Sequence, residues 1–245
     1  MDPIQKLQQW ILESQNTVFF GGAGVSTESG IPDFRGEDGL YRQKYSYPPE
    51  TILSHDFFFH HMDVFYQFYR EKMLVINAVP NDAHKKLAEM EHAGQLKAVI
   101  TQNIDGLHQK AGSKYVLELH GSIYRNHCLS CNRSFTAEEI IAKEGIPRCS
   151  CGGIIKPDVV LYQESLDETV LENSVHAIEQ AELLLVGGTS LSVYPAAGLI
   201  RYYKGSRLVL MNKTTTPYDA QADLLLKGKI GEIFHLISVP KGELH

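Results

Sequence analysis

Among residues Thr101 to Gly121, Gln102, Asn103, Asp105, His108 and His120 stand around the ends of two apolar runs and offer two amides, a carboxylate and two imidazoles at those ends. Amides can grip hydroxyl-rich groups, a carboxylate can accept from an amide, and an imidazole exchanges a proton near neutral pH. One polar residue in such a place is usually a cap or a loop anchor. Several at two neighbouring strand ends make a candidate site.

The elements that position them follow from the hydrophobic pattern. Leu96 to Ile100 is a short, β-branched apolar run that reads as a buried parallel strand, and Thr101-Gln102-Asn103-Ile104-Asp105 lies past its carboxyl end. Tyr115 to Leu119 delivers His120-Gly121 in the same way. Ligands of open α/β sheets bind at that end of the strands. Ile4, Leu7, Trp10 and Ile11 have helical spacing ahead of a strand at Thr17 to Phe20, and Asn81 can cap a helix carrying Leu87 and Met90 that Gly94 closes. Apolar runs at Val159 to Tyr162, Leu183 to Val186 and Leu208 to Met211 alternate with helical stretches. The fold class expected is α/β, a Rossmann-like parallel sheet flanked by helices, with a small inserted domain made of a helical module and a ribbon whose paired cysteines, Cys128 and Cys131 with Cys149 and Cys151, read as a zinc ribbon. Residues 1–36, 80–124 and 156–245 would form the Rossmann-like body, the aromatic-rich stretch 37–79 the helical module, and 125–155 the ribbon.

Thr17 to Phe20 empties into Gly21-Gly22-Ala23-Gly24-Val25-Ser26 ahead of an expected helix. Gly22, Ala23 and Gly24 would let backbone N–H groups approach a pyrophosphate, because a Cβ would block so tight a turn. Thr27 stands where the dinucleotide fingerprint has its third glycine, and no acidic residue ends a second strand at the distance that holds a ribose. An ordinary hydride-transferring dehydrogenase is therefore disfavoured. The loop goes on to place Asp33, Phe34 and Arg35 side by side. Further along, Gly187-Gly188-Thr189-Ser190 follows a buried strand, and the next strand ends in Met211-Asn212-Lys213. Two small-residue turns at neighbouring strand ends fit one extended nucleotide across the crevice.

The four cysteines occur as Cys128-x-x-Cys131 and Cys149-x-Cys151. Two close pairs across a ribbon-length gap suit tetrahedral zinc–thiolate coordination, in preference to two disulfides or four unrelated thiols. Four sulfur ligands would close the site, making the zinc structural and leaving no cysteine as a nucleophile. A formal net charge of −6 with interspersed signs offers no electrostatic basis for general binding to nucleic acid or anionic membrane. No apolar run approaches the roughly 20 residues of a spanning helix, and the N-terminus has no leader pattern, so a soluble, cytoplasmic protein is expected.

Taken in order, Gly22-Ala23-Gly24-Val25-Ser26, Gly30-Ile31-Pro32-Asp33-Phe34-Arg35, Thr101-Gln102-Asn103-Ile104-Asp105, Leu119-His120-Gly121, the cysteine ribbon and Gly188-Thr189-Ser190 resemble the sirtuins, NAD-dependent protein-lysine deacylases, in their bacterial deacetylase form. The likeness runs from about Asn16 to Phe234. It implies that Ala23, Gly24, Asp33, Phe34, Arg35 and Tyr41 belong to a loop covering NAD, with Phe34 shielding the ribose. Gln102 and Asn103 would hold the nicotinamide ribose, and Ile104 and Asp105 the carboxamide. Gly188, Thr189, Ser190 and Asn212 would line the phosphate and adenosine side, with adenine contacts near Lys229 and Ile230. Val160, Leu161 and Tyr162, with Val193 and Tyr194, would bracket an extended acyl-lysine peptide or protein segment as a strand between strands. His120 would be the general base, taking a proton from a ribose hydroxyl on the way to free lysine and O-acyl-ADP-ribose. Two departures stand out. Tyr162-Gln163-Glu164 replaces the Phe-Gly-Glu of many sirtuins, so the peptide-facing turn is expected to differ, and Tyr41 is followed by Lys44 where acidic-acyl sirtuins have Tyr-x-x-Arg, so acetyl or longer neutral acyl groups are expected. Mono-ADP-ribosyl transfer, an NAD-sensing module and a zinc-ribbon nucleic-acid binder are the competing readings.

Overall fold

Strand β1 (Thr17–Gly21) is buried along its whole length, which is why it reads as a continuous apolar run and not as an alternating one. In the computed structural model, which describes residues 2–34, 36 and 39–239, it pairs in parallel with β2 (Leu96–Thr101) on one side and β7 (Leu183–Gly187) on the other. With β3 (Val116–Glu118), β8 (Leu208–Asn212) and β9 (Leu224–Lys227) they form a six-stranded sheet in the order β3-β2-β1-β7-β8-β9, every neighbouring pair parallel. The chain works outward from β1 to β3 and then returns to β1's other side. That reversal leaves a crevice between the carboxyl ends of β1 and β7.

Alternate residues of each strand serve opposite layers. Phe19, Val99, Leu185 and Val209 meet α1 (Pro3–Glu13), α5 (Asp82–His92) and α9 (Ile230–His235) through Leu7, Leu87, Met90 and Phe234. Val18, Phe20, Ile100, Val186 and Leu210 pack with Ile178 of α8 (Glu168–Gln180) and with the 3-10 stretch Ala196–Tyr202. Asn81 caps α5 as expected, but its partner in the capping box is His84.

The insertions behave as one packed unit. The strands β4 (Gly121–Cys128), β5 (Ser134–Phe135) and β6 (Ile155–Val159) form a separate antiparallel sheet in the order β5-β4-β6, with the short helix α7 (Ala137–Ile141) between β5 and β6 in the chain. Its Ile123 and Val159 share a core with Phe58, Phe65, Tyr66 and Tyr69 of the helical module, which comprises α2 (Pro49–Ile52), α3 (His55–His60), α4 (Met62–Phe68) and a π-helical turn at Tyr69–Met73. The Tyr66 hydroxyl donates to the Ile155 carbonyl across that boundary.

Three local expectations are corrected. Val159 to Tyr162 is no strand of the parallel sheet: Val159 ends β6, and Val160–Tyr162 continues as irregular backbone with a single parallel bridge from Tyr162 to Ser54. The small sheet thus starts at Gly121 and ends at Val159, wider than 125–155. The helix expected after the glycine loop is instead two 3-10 turns, Ala23–Val25 and Thr27–Ser29, because the loop lies flat on a neighbouring strand end. The edge strand β9 carries an exposed Leu225 between buried Leu224 and Leu226 and is too short to stand out as a pattern. Among the described residues no helix is long and apolar enough to cross a membrane.

Gly121 joins the two sheets with φ of +75°, and a Cβ there would collide with the Asp158 carbonyl. Gly121→Ala should therefore lose about 3 kcal/mol or more of stability in urea unfolding, whereas Gly145→Ala, where φ is also positive but the surroundings are open, should lose far less.

Candidate cofactor and catalytic site

At the switch point backbone rests on backbone. The Gly24 N–H donates to the Gly188 carbonyl at 2.7 Å, and the Gly22 N–H donates to the Gly187 carbonyl at 3.3 Å. A Cβ on Gly24 would lie 2.7 Å from the Gly188 Cα, and one on Gly22 would lie 2.8 Å from the Thr189 Cβ. Ala23 occupies the turn between them. Thr27 closes the loop by donating its hydroxyl to the Gly24 carbonyl at 3.0 Å. Beneath, the Ile230 side chain fills the space where Gly187 and Gly188 lack one. Thr189 receives the Gln102 amide on its hydroxyl at 3.0 Å and donates its N–H to the Asn212 carbonyl oxygen Oδ1 at 3.1 Å. The Asn212 Nδ2 is buried with no partner among the described residues. Ser190 bonds to Ser192 and is exposed, as is Lys213.

Ser26 is the hub of the floor. Its hydroxyl donates to Asp105 Oδ2 at 2.6 Å, accepts from Asn103 Nδ2 at 3.0 Å and lies 3.4 Å from His84 Nε2. His84 Nδ1 accepts the Asn81 backbone N–H at 3.3 Å, so the neutral ring carries its proton on Nε2 and donates it to Ser26. One hydroxyl thereby fills its single donor and both acceptor roles. Asp105 Oδ1 takes the Leu107 N–H at 2.9 Å at the start of α6 (Leu107–Ala111), and burial raises the carboxyl's pKa against these hydrogen bonds. His108, on α6, sits below this network and not in the crevice. Its ring centroid is 4.8 Å from that of His84, neither of its nitrogens has a partner among the described residues, and burial drives its pKa well down.

His120 stands where β3 hands over to β4. Its Nδ1 lies 2.9 Å from the Gln102 carbonyl, which can only accept, so Nδ1 carries the proton and Nε2 keeps its lone pair. Burial lowers its pKa, partly offset by that bond. The His120 carbonyl in turn accepts the Val160 N–H at 3.0 Å, seating Val160–Tyr162 beside the imidazole's own backbone. Leu161 points into the core, whereas Tyr162 and Tyr194 are exposed and Val193 is half-buried. Gln163 holds φ of +76° although it is not glycine, a conformation that costs about 1 kcal/mol, and its side chain bonds to the Asp56 N–H and carboxylate. The left-handed turn survives the loss of glycine.

Phe34 and Tyr41 join Ile104 on the rim of the helical module's core. Asp33 holds the Gly36 N–H at 2.7 Å. Arg35 lies outside the described residues.

Cys128, Cys131, Cys149 and Cys151 bring their sulfurs within 4.8 Å of one another. The closer separations, 3.5 to 3.7 Å, approach the roughly 3.8 Å edge of a tetrahedron with zinc–sulfur bonds of about 2.3 Å. Each pair sits on a turn with one left-handed residue, Asn132 or Gly152. The cluster fits a structural zinc ion.

In the sequence Ser26 stands out only as part of the glycine-loop motif, and nothing around His84 marks it. Ser26 and His84 are 58 positions apart, and only the packing of α5 behind the loop makes them partners.

A doubly wound sheet with two glycine turns and a free imidazole nitrogen at one crevice puts the chain among the dinucleotide-binding α/β proteins. A profile of the Sir2 family matches residues 22–195. The NAD-dependent protein deacetylase of Clostridium acetobutylicum is 58% identical over 241 residues, covering 97% of this chain and 98% of that protein. The protein of the same description in Sulfolobus acidocaldarius is 45% identical, with 96% and 93% covered. Among solved structures, a Sir2 complex with a p53 peptide and NAD+ superposes with a TM-score of 0.84 at 38% identity over 96% of both chains. A Sir2 variant with deacetylated p53 peptide and 3'-O-acetyl ADP ribose gives 0.88 at 39% identity over 95% of this chain and 96% of that one. The chain belongs to the Sir2 family, the sirtuins.

Two outcomes follow from the geometry. Stripping zinc with a chelator should expose 125–155 to protease and lower the unfolding temperature, and added zinc should reverse both. His84, ordinarily at 6.5 but pushed down to about 4 by burial, stays neutral in the folded protein while the unfolded chain takes up a proton. Its contribution to stability is complete above pH 6.5 and is lost as pH falls toward 4, amounting to about 2 kcal/mol by pH 5. His84→Gln should flatten the stability loss between pH 8 and pH 5 by about that amount in denaturant titrations.

Proposed function

We propose that this chain is an NAD-dependent protein-lysine deacetylase that yields nicotinamide, deacylated lysine and O-acyl-ADP-ribose, with His120 as general base. The observation that carries the reading is the imidazole whose Nδ1–H is held by the Gln102 carbonyl, leaving Nε2 free beside the crevice and beside the segment bonded to its own backbone. When bound, NAD supplies the electrophile, a ribose carbon that exchanges nicotinamide for the acyl oxygen of the modified lysine.

The protein's part is to hold, shield and deprotonate. Gln102 and Asn103 hold the nicotinamide ribose, Asn103 being fixed by Ser26 and Gln102 by Thr189. Ile104 and the Asp105 carboxyl receive the carboxamide. Gly22, Ala23, Gly24, Gly188, Thr189 and Ser190 lie along the pyrophosphate, with Thr27, Asn212, Lys213 and Ile230 toward adenosine; the orphaned Asn212 Nδ2 supports a polar ligand there. Asp33, Phe34, Arg35 and Tyr41 cover the cofactor, and Phe34 keeps water from the reacting carbon. His120 Nε2 takes a proton from a ribose hydroxyl, freeing it to attack the acyl carbon. Val160, Leu161 and Tyr162, facing Val193 and Tyr194, pair with the peptide backbone, so affinity comes from main-chain hydrogen bonds and side-chain selectivity is low.

In this reading 1–36, 80–124 and 156–245, apart from the small-sheet residues 121–124 and 156–159, bind NAD, while 37–79 and the ribbon 125–155 hold the substrate-facing segment in place. Acyl-lysine proteins are the partners, acetyl or longer neutral acyl groups the substrates, and the cytoplasm the setting, with no role for nucleic acid or membrane.

Mass spectrometry of an acetyl-lysine peptide incubated with the protein should give deacetylated peptide and O-acetyl-ADP-ribose together, only with NAD. Nicotinamide release without deacetylation would point to ADP-ribosyl transfer instead. His120→Ala should still bind NAD but lose about 100-fold or more of kcat. Because burial holds the His120 pKa down, the acid limb of the wild-type kcat profile should fall below pH 6.5 as the base becomes protonated.

A further inference from the structure

The Tyr162 hydroxyl lies 2.6 Å from the hydroxyl of Tyr41, joining the peptide-facing segment to the end of the cofactor loop. Tyr162 is a fixed post. Its N–H donates to the Leu53 carbonyl and its carbonyl accepts the His55 N–H, both at 2.9 Å. The next residue, Gln163, is held in its left-handed conformation by bonds to the backbone and carboxylate of Asp56. An apolar residue at 162 would keep those backbone bonds, so what tyrosine adds there is the hydroxyl that meets Tyr41.

Tyr41, for its part, is tied to the cofactor loop. It sits in the turn Leu40–Arg42, its N–H donates to the Phe34 carbonyl at 2.9 Å, and its ring meets that of Phe34 edge-on at 5.6 Å. Leu40 is tied in the same way to the Asp33 carbonyl. Phe34 is thereby linked through Tyr41 to a hydroxyl on a segment whose backbone is hydrogen-bonded on both sides.

We propose that Tyr162 is a positioning residue whose hydroxyl bond to Tyr41 makes nucleotide and peptide binding reinforce each other. This rests on the NAD-dependent deacylase reading of the site. A ligand that settles Phe34 and Tyr41 presents Tyr162 already engaged to the incoming peptide, and by linkage the peptide strengthens nucleotide binding by the same factor. One exposed hydroxyl–hydroxyl bond sets the scale at about fivefold.

The test is calorimetric titration of ADP-ribose into the intact, zinc-loaded protein, with and without saturating acetyl-lysine peptide, for wild type, Tyr162→Phe, Tyr41→Phe and the double variant. The coupling ratio is internal to each protein, so a general loss of affinity cancels. The wild-type ratio should be about fivefold, each single variant should bring it close to unity, and the double should lose no more than either single. A wild-type ratio of unity, an undiminished ratio in Tyr162→Phe, or strictly additive losses would overturn the coupling while leaving the NAD reading intact. Absence of ADP-ribose binding to wild type would sink that reading, and this inference with it.

Discussion

Gly24 and Gly188 lie against each other with no side chain between them, and the arrangement of the crevice depends on that contact. It occurs where the sheet reverses its order, so the loops after β1 and β7 must share one space. Because the first loop presses onto the second, it continues as tight 3-10 turns and drops Ser26 inward onto Asn103 and Asp105. The second loop, held in a left-handed turn at Gly188, swings Thr189 over to Gln102 and Asn212. Residues from four strand ends are thereby fixed by backbone geometry before any ligand is considered.

Three histidines in this region share one burden and differ in their partners. Burial disfavours the charged form of each. His84 accepts from a helix cap and so donates from Nε2, making it a prop for Ser26. His108 has no partner among the described residues and packs as an apolar ring against Phe19 and His84. His120 donates from Nδ1 to a carbonyl and keeps Nε2 available. The same side chain becomes a prop, a filler or an imidazole with an unengaged nitrogen according to which nitrogen the surrounding backbone engages.

The insertions matter to the site through what they immobilise. The zinc ribbon and the helical module share a core with Leu161, and the segment Val160–Tyr162 is bonded at one end to His120 and at the other to the start of α3. Lys156, almost wholly buried, reinforces this by donating to Glu164 and to the Val159 carbonyl, while Glu164 also receives the Leu161 N–H. A segment with no regular secondary structure is held straight by its neighbours on both sides.

Much of this was legible in the order of residues. The apolar runs of β1, β7 and β8, and of β2 apart from its exposed Lys97, announced strands buried on both faces, the glycines after β1 and β7 announced close backbone approach, and the cysteine spacing announced the four-sulfur cluster, because each of these is a local pattern with a local cause. The placement of His120 at a strand end was legible for the same reason. What local pattern could not carry was partnership across the chain. Val160–Tyr162 read as a strand of the main sheet because its composition is that of one, and only the antiparallel pairing of β4 with β6 assigns the preceding residues elsewhere. The roles of His84 against Ser26, Tyr162 against Tyr41 and Asp56 against Gln163 were decided by tertiary packing alone. A hydrogen bond depends on where two groups meet in space, and chain separations of 58, 121 and 107 residues leave no trace of that meeting in either neighbourhood.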